Sequence, residues 1–240
     1  MIIIPAREQS KRFPKKVLAD IGGLPMVIRT AKQVEKLDAV AIATDSYEIA
    51  SVCQKHGFEA VLTSASHKSG TDRINEAATI LKLPDDEAII NVQADEPFIE
   101  PAIVESVINR LKQAKHKKEV DTLMVSCYNS INSESADDPN LVKVVLDAHH
   151  NAIYFSRSKI PFGRDGATSY FGHIGVYGFT KRSLEKFCTL DDAPIEDIEK
   201  LEQLRAIYHG YKIAMVKVSS TGFGIDTPED LERAKAIFLK

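Results

Sequence analysis

The sequence predicts an α/β fold: a mostly parallel sheet flanked by helices, grading into a mixed sheet in its second half. Three observations carry this prediction. Short β-rich runs alternate with longer stretches of helical period over the first 114 residues. Turn residues punctuate the boundaries, and after about residue 118 the rhythm changes to successive strands joined by turn chemistry. Alternation of the first kind signals βαβ units, because parallel neighbours need a crossover that a helix normally supplies.

In order, residues 2–4, 40–44, 60–63 and 88–92 read as strands, being short, apolar and rich in β-branched or small residues. Between them 25–37, 47–57 and 71–83 carry helical periodicity, and 101–114 follows the fourth strand. Gly57 and Pro84 mark helix ends. Residues 122–128, 141–147 and 152–156 read as strands, with a turn over 147–151. Residues 172–179 form a further strand in which Gly172, Gly175 and Gly178 point to close packing. An amphipathic helix over 195–208, a strand over 213–218 and a helix over 228–238 close the chain.

With 240 residues, 44% hydrophobic and 27% charged, the chain has the composition of a globular protein with one sizeable core. A formal charge of −3 argues against broad binding to nucleic acid, which needs a basic face. The apolar run 2–4 is too short for a signal peptide or a membrane span, so a cytoplasmic protein without membrane association is expected. Cys53, Cys127 and Cys188 show no paired spacing and read as structural thiols. GxGxxG after the first strand, GxxxxGK[ST], GxSxG and HExxH are all missing, which weighs against dehydrogenases, P-loop enzymes, serine hydrolases and zincins.

Ligands of open α/β sheets bind beyond the carboxyl ends of the strands. Four polar segments stand there: 7–16 after the first strand, Asp45 after the second, 64–73 after the third and 93–97 after the fourth. The first holds Arg7, Lys11, Arg12, Lys15 and Lys16 against Glu8 alone, as suits either an anion site or a solvated surface. Asp95 follows a β run, and Pro97 biases Glu96 toward extended backbone. In GIDTPEDLERA, Thr227 caps a helix, Pro228 fits its first turn and Asp230 completes a capping box. Asp226 is left over as a candidate ligand for Mg2+, which takes hard oxygen donors and keeps positions for water and phosphate. His173 and Tyr177, four apart on a strand, share a face that is either a pocket wall or packed interior. Glu202 and Gln203 fall on a helix whose other charges suggest a solvated face.

These blocks resemble a known family. The pattern Ala6-Arg7-x-x-Ser10-x-Arg12-x-Pro14-x-Lys16-x-Leu18, then Gly23-x-Pro25-Met26, Ala43-Thr44-Asp45, Ser69-Gly70-Thr71-Asp72-Arg73 and Asn91-Val92-Gln93-x-Asp95-Glu96-Pro97 covers the first half. Lys143-Val144-Val145, Tyr154-Phe155-Ser156-Arg157 and Asp226-Thr227-Pro228-Glu229-Asp230-Leu231 continue it to the last helix. Together they are similar to the 3-deoxy-D-manno-octulosonate (Kdo) cytidylyltransferases. The resemblance implies a Rossmann-like nucleotidyltransferase fold in a single domain over 1–240. Residues 120–190 would contribute a smaller mixed-sheet portion for dimerisation and sugar binding. It implies that CTP and Kdo give CMP-Kdo and pyrophosphate with Mg2+, for lipopolysaccharide synthesis, in a homodimer.

Carried over by position, Arg7, Ser10, Arg12 and Lys16 would hold the triphosphate, and Ala6, Ser69, Gly70 and Arg73 would complete the nucleotide site. Asp95 and Asp226 would hold Mg2+ and, with Lys16 and Arg7, carry catalysis. Gln93, His173, Tyr177, Glu202 and Gln203, with Arg73, would line the sugar pocket. Two positions depart from the pattern: Ala94 replaces the usual Gly, and Glu8 the usual aromatic. The alternatives are a cytidylyltransferase for 8-amino-Kdo, one for a sialic or pseudaminic acid, and a noncatalytic binding module. Sialic-type enzymes usually place Asn after the loop lysine, where this chain has Val17.

Overall fold

The structure is a computed structural model that describes residues 1–8, 13–117, 119, 121–166, 169–219 and 224–238. The chain forms two compact units, Met1–Glu105 with Gly222–Lys240, and Ser106–Thr221.

In the first unit, β1 (Ile2–Ala6) is followed by a hairpin of β2 (Asp20–Ile21) and β3 (Leu24–Pro25). Next come α1 (Met26–Val34), β4 (Val40–Thr44), α2 (Tyr47–Lys55), β5 (Glu59–Leu62), α3 (Gly70–Ile80) and β6 (Ala88–Asn91). Strands run β6-β1-β4-β5, all parallel, with Ile2 opposite both Val40 and Ile90. Ile2, Ile3 and Ile4 are fully buried on both faces of the sheet, as a continuous β-branched run in a covered parallel strand should be. The hairpin has no counterpart among the elements expected from the sequence. Its signal was Gly22-Gly23, whose φ values of 59° and 82° make the tight turn. Pro25, expected to open a helix, belongs to β3, and α1 starts one residue later.

α4 (Pro101–Lys117) leads into the second unit, its buried Ile103, Val104, Val107, Leu111 and Ala114 marking one helical face. There β7 (Thr122–Asn132), β8 (Lys143–Leu146), β9 (Ala152–Ser156) and β10 (Ser169–Thr180) are followed by α5 (Lys181–Cys188), α6 (Pro194–Glu199), α7 (Leu204–Tyr208) and β11 (Lys212–Lys217). β11 pairs parallel with β7, while β7–β10, β10–β8 and β8–β9 are antiparallel. The mixed portion expected over 120–190 thus lies inside a unit nearly as long as the first. α5 was absent from the elements expected, although Thr180 and Ser183 form its capping box.

The helix expected over 195–208 is two short helices, broken where Lys200 takes a φ of 54°. Glu199 explains the break: its carboxylate accepts the Ser156 hydroxyl and the Arg157 N–H at 2.5 and 2.9 Å, and Arg157 Nε donates to its carbonyl at 2.8 Å. Such anchoring of one residue outweighs the continuation of an exposed helix. The break turns Gln203 inward to 3% exposure, so the solvated face expected there does not exist.

Gly172 in β10 is closely packed as expected, whereas Gly175 faces open space. A Cβ at 172 would lie 2.8 Å from Asn129 Oδ1 and 3.0 Å from Ile131 Cγ2. Gly172→Ala is expected to lower stability by about 1–3 kcal/mol, measured by denaturant unfolding. An unchanged midpoint would mean that Asn129 and Ile131 yield freely.

The chain ends with α8 (Pro228–Phe238) in the first unit. Thr227 Oγ1 accepts Asp230 N–H at 3.2 Å, and Asp230 Oδ2 accepts the N–H groups of Asp226 and Thr227 at 3.1 and 3.0 Å. Ile225, Leu231 and Ala234 pack with Ile21 and Met26, and Phe13, Ala19 and Phe98 flank them. This packing brings the last helix against the first fifty residues.

Candidate active site

The carboxyl ends of β1, β4 and β6 and the entry to α8 supply the polar residues of the first unit. A 3-10 turn, Lys16–Leu18, sets Lys16 with its side chain 11% exposed. Its ammonium donates to Asp95 Oδ2 at 2.6 Å and to Asp226 Oδ1 at 3.1 Å. These three residues come from the start, middle and end of the chain. A backbone bond from Ile225 N–H to the Asp95 carbonyl, 2.9 Å, aligns the two acidic segments. One ammonium between two carboxylates leaves a formal surplus of one negative charge. The capping box explains why Asp226 is available: Thr227 and Asp230 cap α8, and the Asp226 side chain is not needed for that.

Ala6 is buried at the end of β1 and Arg7 is exposed beyond it. Ser10 and Arg12 lie outside the described residues. Ser69 is the N-cap of α3, its hydroxyl accepting Asp72 N–H at 3.0 Å and donating to Asp72 Oδ2 at 2.9 Å. Gly70 opens that helix because a Cβ would come within 3.2 Å of Pro5 Cγ. Gln93, half-buried, donates to Asn91 Oδ1 at 3.1 Å. Ala94 is 4% exposed, so its extra methyl packs inside, and its carbonyl accepts the Thr30 hydroxyl at 2.9 Å.

Arg73, placed by resemblance against nucleotide and sugar, has two side-chain partners of its own. Its side chain is buried, with Nη2 donating to Asp45 Oδ2 at 3.0 Å and Nη1 to Thr63 Oγ1 at 2.7 Å. Asp45 Oδ1 in turn accepts the backbone N–H of Glu8 at 3.0 Å.

In the second unit, β10 makes an irregularity between Ile174 and Tyr177 opposite Ser126 of β7. Two extra residues preserve the strand's alternation, so His173 and Tyr177 stay on one side with ring centroids 5.5 Å apart. Ser126 fills the irregularity. Its hydroxyl lies 2.8 Å from Val176 O, which takes its single proton, and 2.9 Å from His173 Nε2. Ser126 therefore accepts from Nε2–H, and His173 Nδ1 is left as an acceptor. Phe155 covers the imidazole edge-on at 4.8 Å. Tyr177 donates to Gln203 Oε1 at 3.3 Å. Burial, with the Glu202 carboxylate adding to it, pushes the Tyr177 hydroxyl far above its usual range and keeps it a donor. The sequence pattern paired His173 with Tyr177 but missed Ser126, whose role depends on the strand irregularity.

Burial pushes His173 down to about 3, so the folded protein keeps it neutral. The unfolded chain binds the extra proton between the ordinary histidine value of 6.5 and about 3, so stability falls on acidification through that window. Between pH 7 and 5 wild type is expected to lose about 1–2 kcal/mol more than His173→Gln, by urea unfolding at each pH. Parallel losses would mean that His173 takes up its proton without unfolding.

Among the described residues no group of three or more His, Cys, Asp or Glu side chains could hold a metal ion, so Asp95 and Asp226 stand as a pair. Nor is any described helix long and apolar enough to cross a membrane. A family model described as Cytidylyltransferase matches residues 1–213. The chain is 55% identical to a 3-deoxy-manno-octulosonate cytidylyltransferase of Nitratiruptor sp., with 100% of both chains covered. It is 52% identical to a protein of the same name from Wolinella succinogenes, with 99% of each covered. A solved structure of CMP:2-keto-3-deoxy-manno-octonic acid synthetase complexed with CTP superposes with a TM-score of 0.90 at 36% identity, over 99% of this chain and 97% of that one. Full-length identity at this level, on the fold and with the polar residues described above, means that the chain belongs to the 3-deoxy-manno-octulosonate cytidylyltransferase family of nucleotidyltransferases.

Proposed function

We propose that the chain transfers CMP from CTP to the anomeric hydroxyl of Kdo, giving CMP-Kdo and pyrophosphate. The observation that carries this reading is the Lys16 ammonium held between Asp95 and Asp226 at 2.6 and 3.1 Å, in a chain whose relatives are named for that reaction.

The donor set fits Mg2+. Two carboxylates converge on a cation, here the ammonium of Lys16, and the remaining positions fall to water and phosphate oxygens, as that ion prefers. Mg2+, when bound by Asp95 and Asp226, supplies Lewis-acid polarisation of the phosphate and a lowered pKa for the attacking hydroxyl. The chain's own residues do the rest by positioning and charge neutralisation. Arg7 and Lys16, with Ser10 and Arg12, bind the triphosphate and offset the charge that develops on departing pyrophosphate. Ala6, Ser69 and Gly70 take the nucleoside end.

Polar side chains of the second unit suit a sugar acid. His173 offers a bare Nδ1 acceptor, Tyr177 and Gln203 offer groups that both donate and accept, and Glu202 sits at the same break between helices. The protein is proposed to act as a cytoplasmic homodimer that supplies lipopolysaccharide synthesis. Sedimentation at twice 26.6 kDa is the expected result.

Pyrophosphate release from CTP, followed with Kdo, 8-amino-Kdo and sialic acid in parallel, tests the reading. Release is expected with Kdo and Mg2+, and none with EDTA. Preference for 8-amino-Kdo or sialic acid would reassign the sugar. Silence with all three would leave a binding module.

A further inference from the structure

The turn from β4 into α2 holds two acidic residues that no ligand assignment uses. Asp45 accepts the backbone N–H of Glu8 on one oxygen and Arg73 Nη2 on the other, each at 3.0 Å. Three residues on, Glu48 accepts from Lys15 Nζ at 2.6 Å. Both flanks of segment 9–12, which carries Ser10 and Arg12, are thus tied to one turn. The two ties differ in kind. Lys15 and Glu48 are half exposed, whereas Asp45 and Arg73 are 13% and 4% exposed and Arg73 is fixed further by Thr63. An exposed pair exchanges readily with water and ions; a buried, doubly bonded one holds its geometry.

We propose that Asp45 and Arg73 are a positioning pair that fixes the course of the cationic segment at Glu8, and so determines affinity for a triphosphate although neither touches the nucleotide. The physical reason is local. Glu8 follows the exposed Arg7 directly, and the bond from its backbone N–H to Asp45 fixes the direction in which the chain leaves β1, without using a cationic side chain of the segment. The inference rests on the reading of this site as a CTP site.

Calorimetric titration of the full chain with CTP and with CMP tests it, using Asp45→Asn, Arg73→Met, their double variant and Glu8→Pro. Each single change in the pair is expected to weaken CTP by at least about tenfold and CMP much less, because only the triphosphate spans the cationic segment. The double variant should be no weaker than the worse single, since both act through one link. Arg73→Lys, which keeps the charge on Asp45, should recover part of the CTP-over-CMP preference. Glu8→Pro removes the donor at an exposed position without disturbing the buried pair, and should reproduce the loss with an unchanged melting temperature. Multiplying effects in the double variant would put Arg73 on the nucleotide directly and overturn the inference. So would wild-type CTP affinity in Glu8→Pro, or equal losses for CTP and CMP. Absence of CTP binding by the wild-type chain would instead bring down the functional reading itself.

Discussion

Asp95→Asn and Asp226→Asn are each expected to lower Mg2+-dependent pyrophosphate release by about 100- to 1,000-fold or more, the loss typical when a group stabilising transition-state charge is removed. The fold should survive. Thr227 and Asp230 form the capping box of α8, and the backbone bond between Ile225 and Asp95 does not involve either carboxylate. Asn is close in size to Asp and can still accept from Lys16, so what changes is the charge. Single-turnover rates with saturating CTP and Kdo, beside thermal unfolding of the same samples, separate the two effects. A rate within a few-fold of wild type in either variant would remove that residue from the metal pair. Because the two would act on one ion, the double variant should be scarcely worse than either single.

Lys16→Ala carries the second large effect, and it runs in opposite directions for two ligands. Affinity for CTP should fall by about 10- to 100-fold while CMP is held nearly as before, because the ammonium is proposed to meet the distal phosphates. Mn2+ binding to the nucleotide-free protein should rise. In the wild type the ammonium lies against both carboxylates, so a cation must displace it; in the variant the two carboxylates face each other without that ammonium. Titration with Mn2+ followed by electron paramagnetic resonance reads this without any turnover. Weaker Mn2+ binding in Lys16→Ala would show that Lys16 organises the pair rather than occupying its cation position. Equal losses for CTP and CMP would place Lys16 away from the distal phosphates. The two readouts fail independently, which makes this substitution more informative than a loss of activity alone.

Much of the first unit was legible in its sequence. The runs 2–4, 40–44 and 88–92 fell on β1, β4 and β6, because a parallel strand covered on both faces must be apolar throughout and the chain there has no other use for such residues. The last helix started at Pro228 as its cap signals required. Asp226 could be singled out for a local reason: the cap used its neighbours and left it over. Short elements were less readable. β2 and β3 are two residues each, and α5 has eight, too few for periodicity to rise above chance.

Sequence alone thus determined the alternation of elements, the covered parallel strands, the cationic segment after β1 and, through many ordered motifs, the family. These are local properties, set by side-chain period, branching and turn chemistry, and they can be read one window at a time. Only the tertiary structure decided which charges meet. It placed Lys16 between carboxylates 79 and 210 positions away, paired the buried Arg73 with Asp45, and gave Ser126 to His173 through an irregular strand. It also broke the helix after Glu199 and so buried Gln203. Each of these outcomes depends on what a buried polar group finds as its partner, and that partner is supplied by a distant part of the chain.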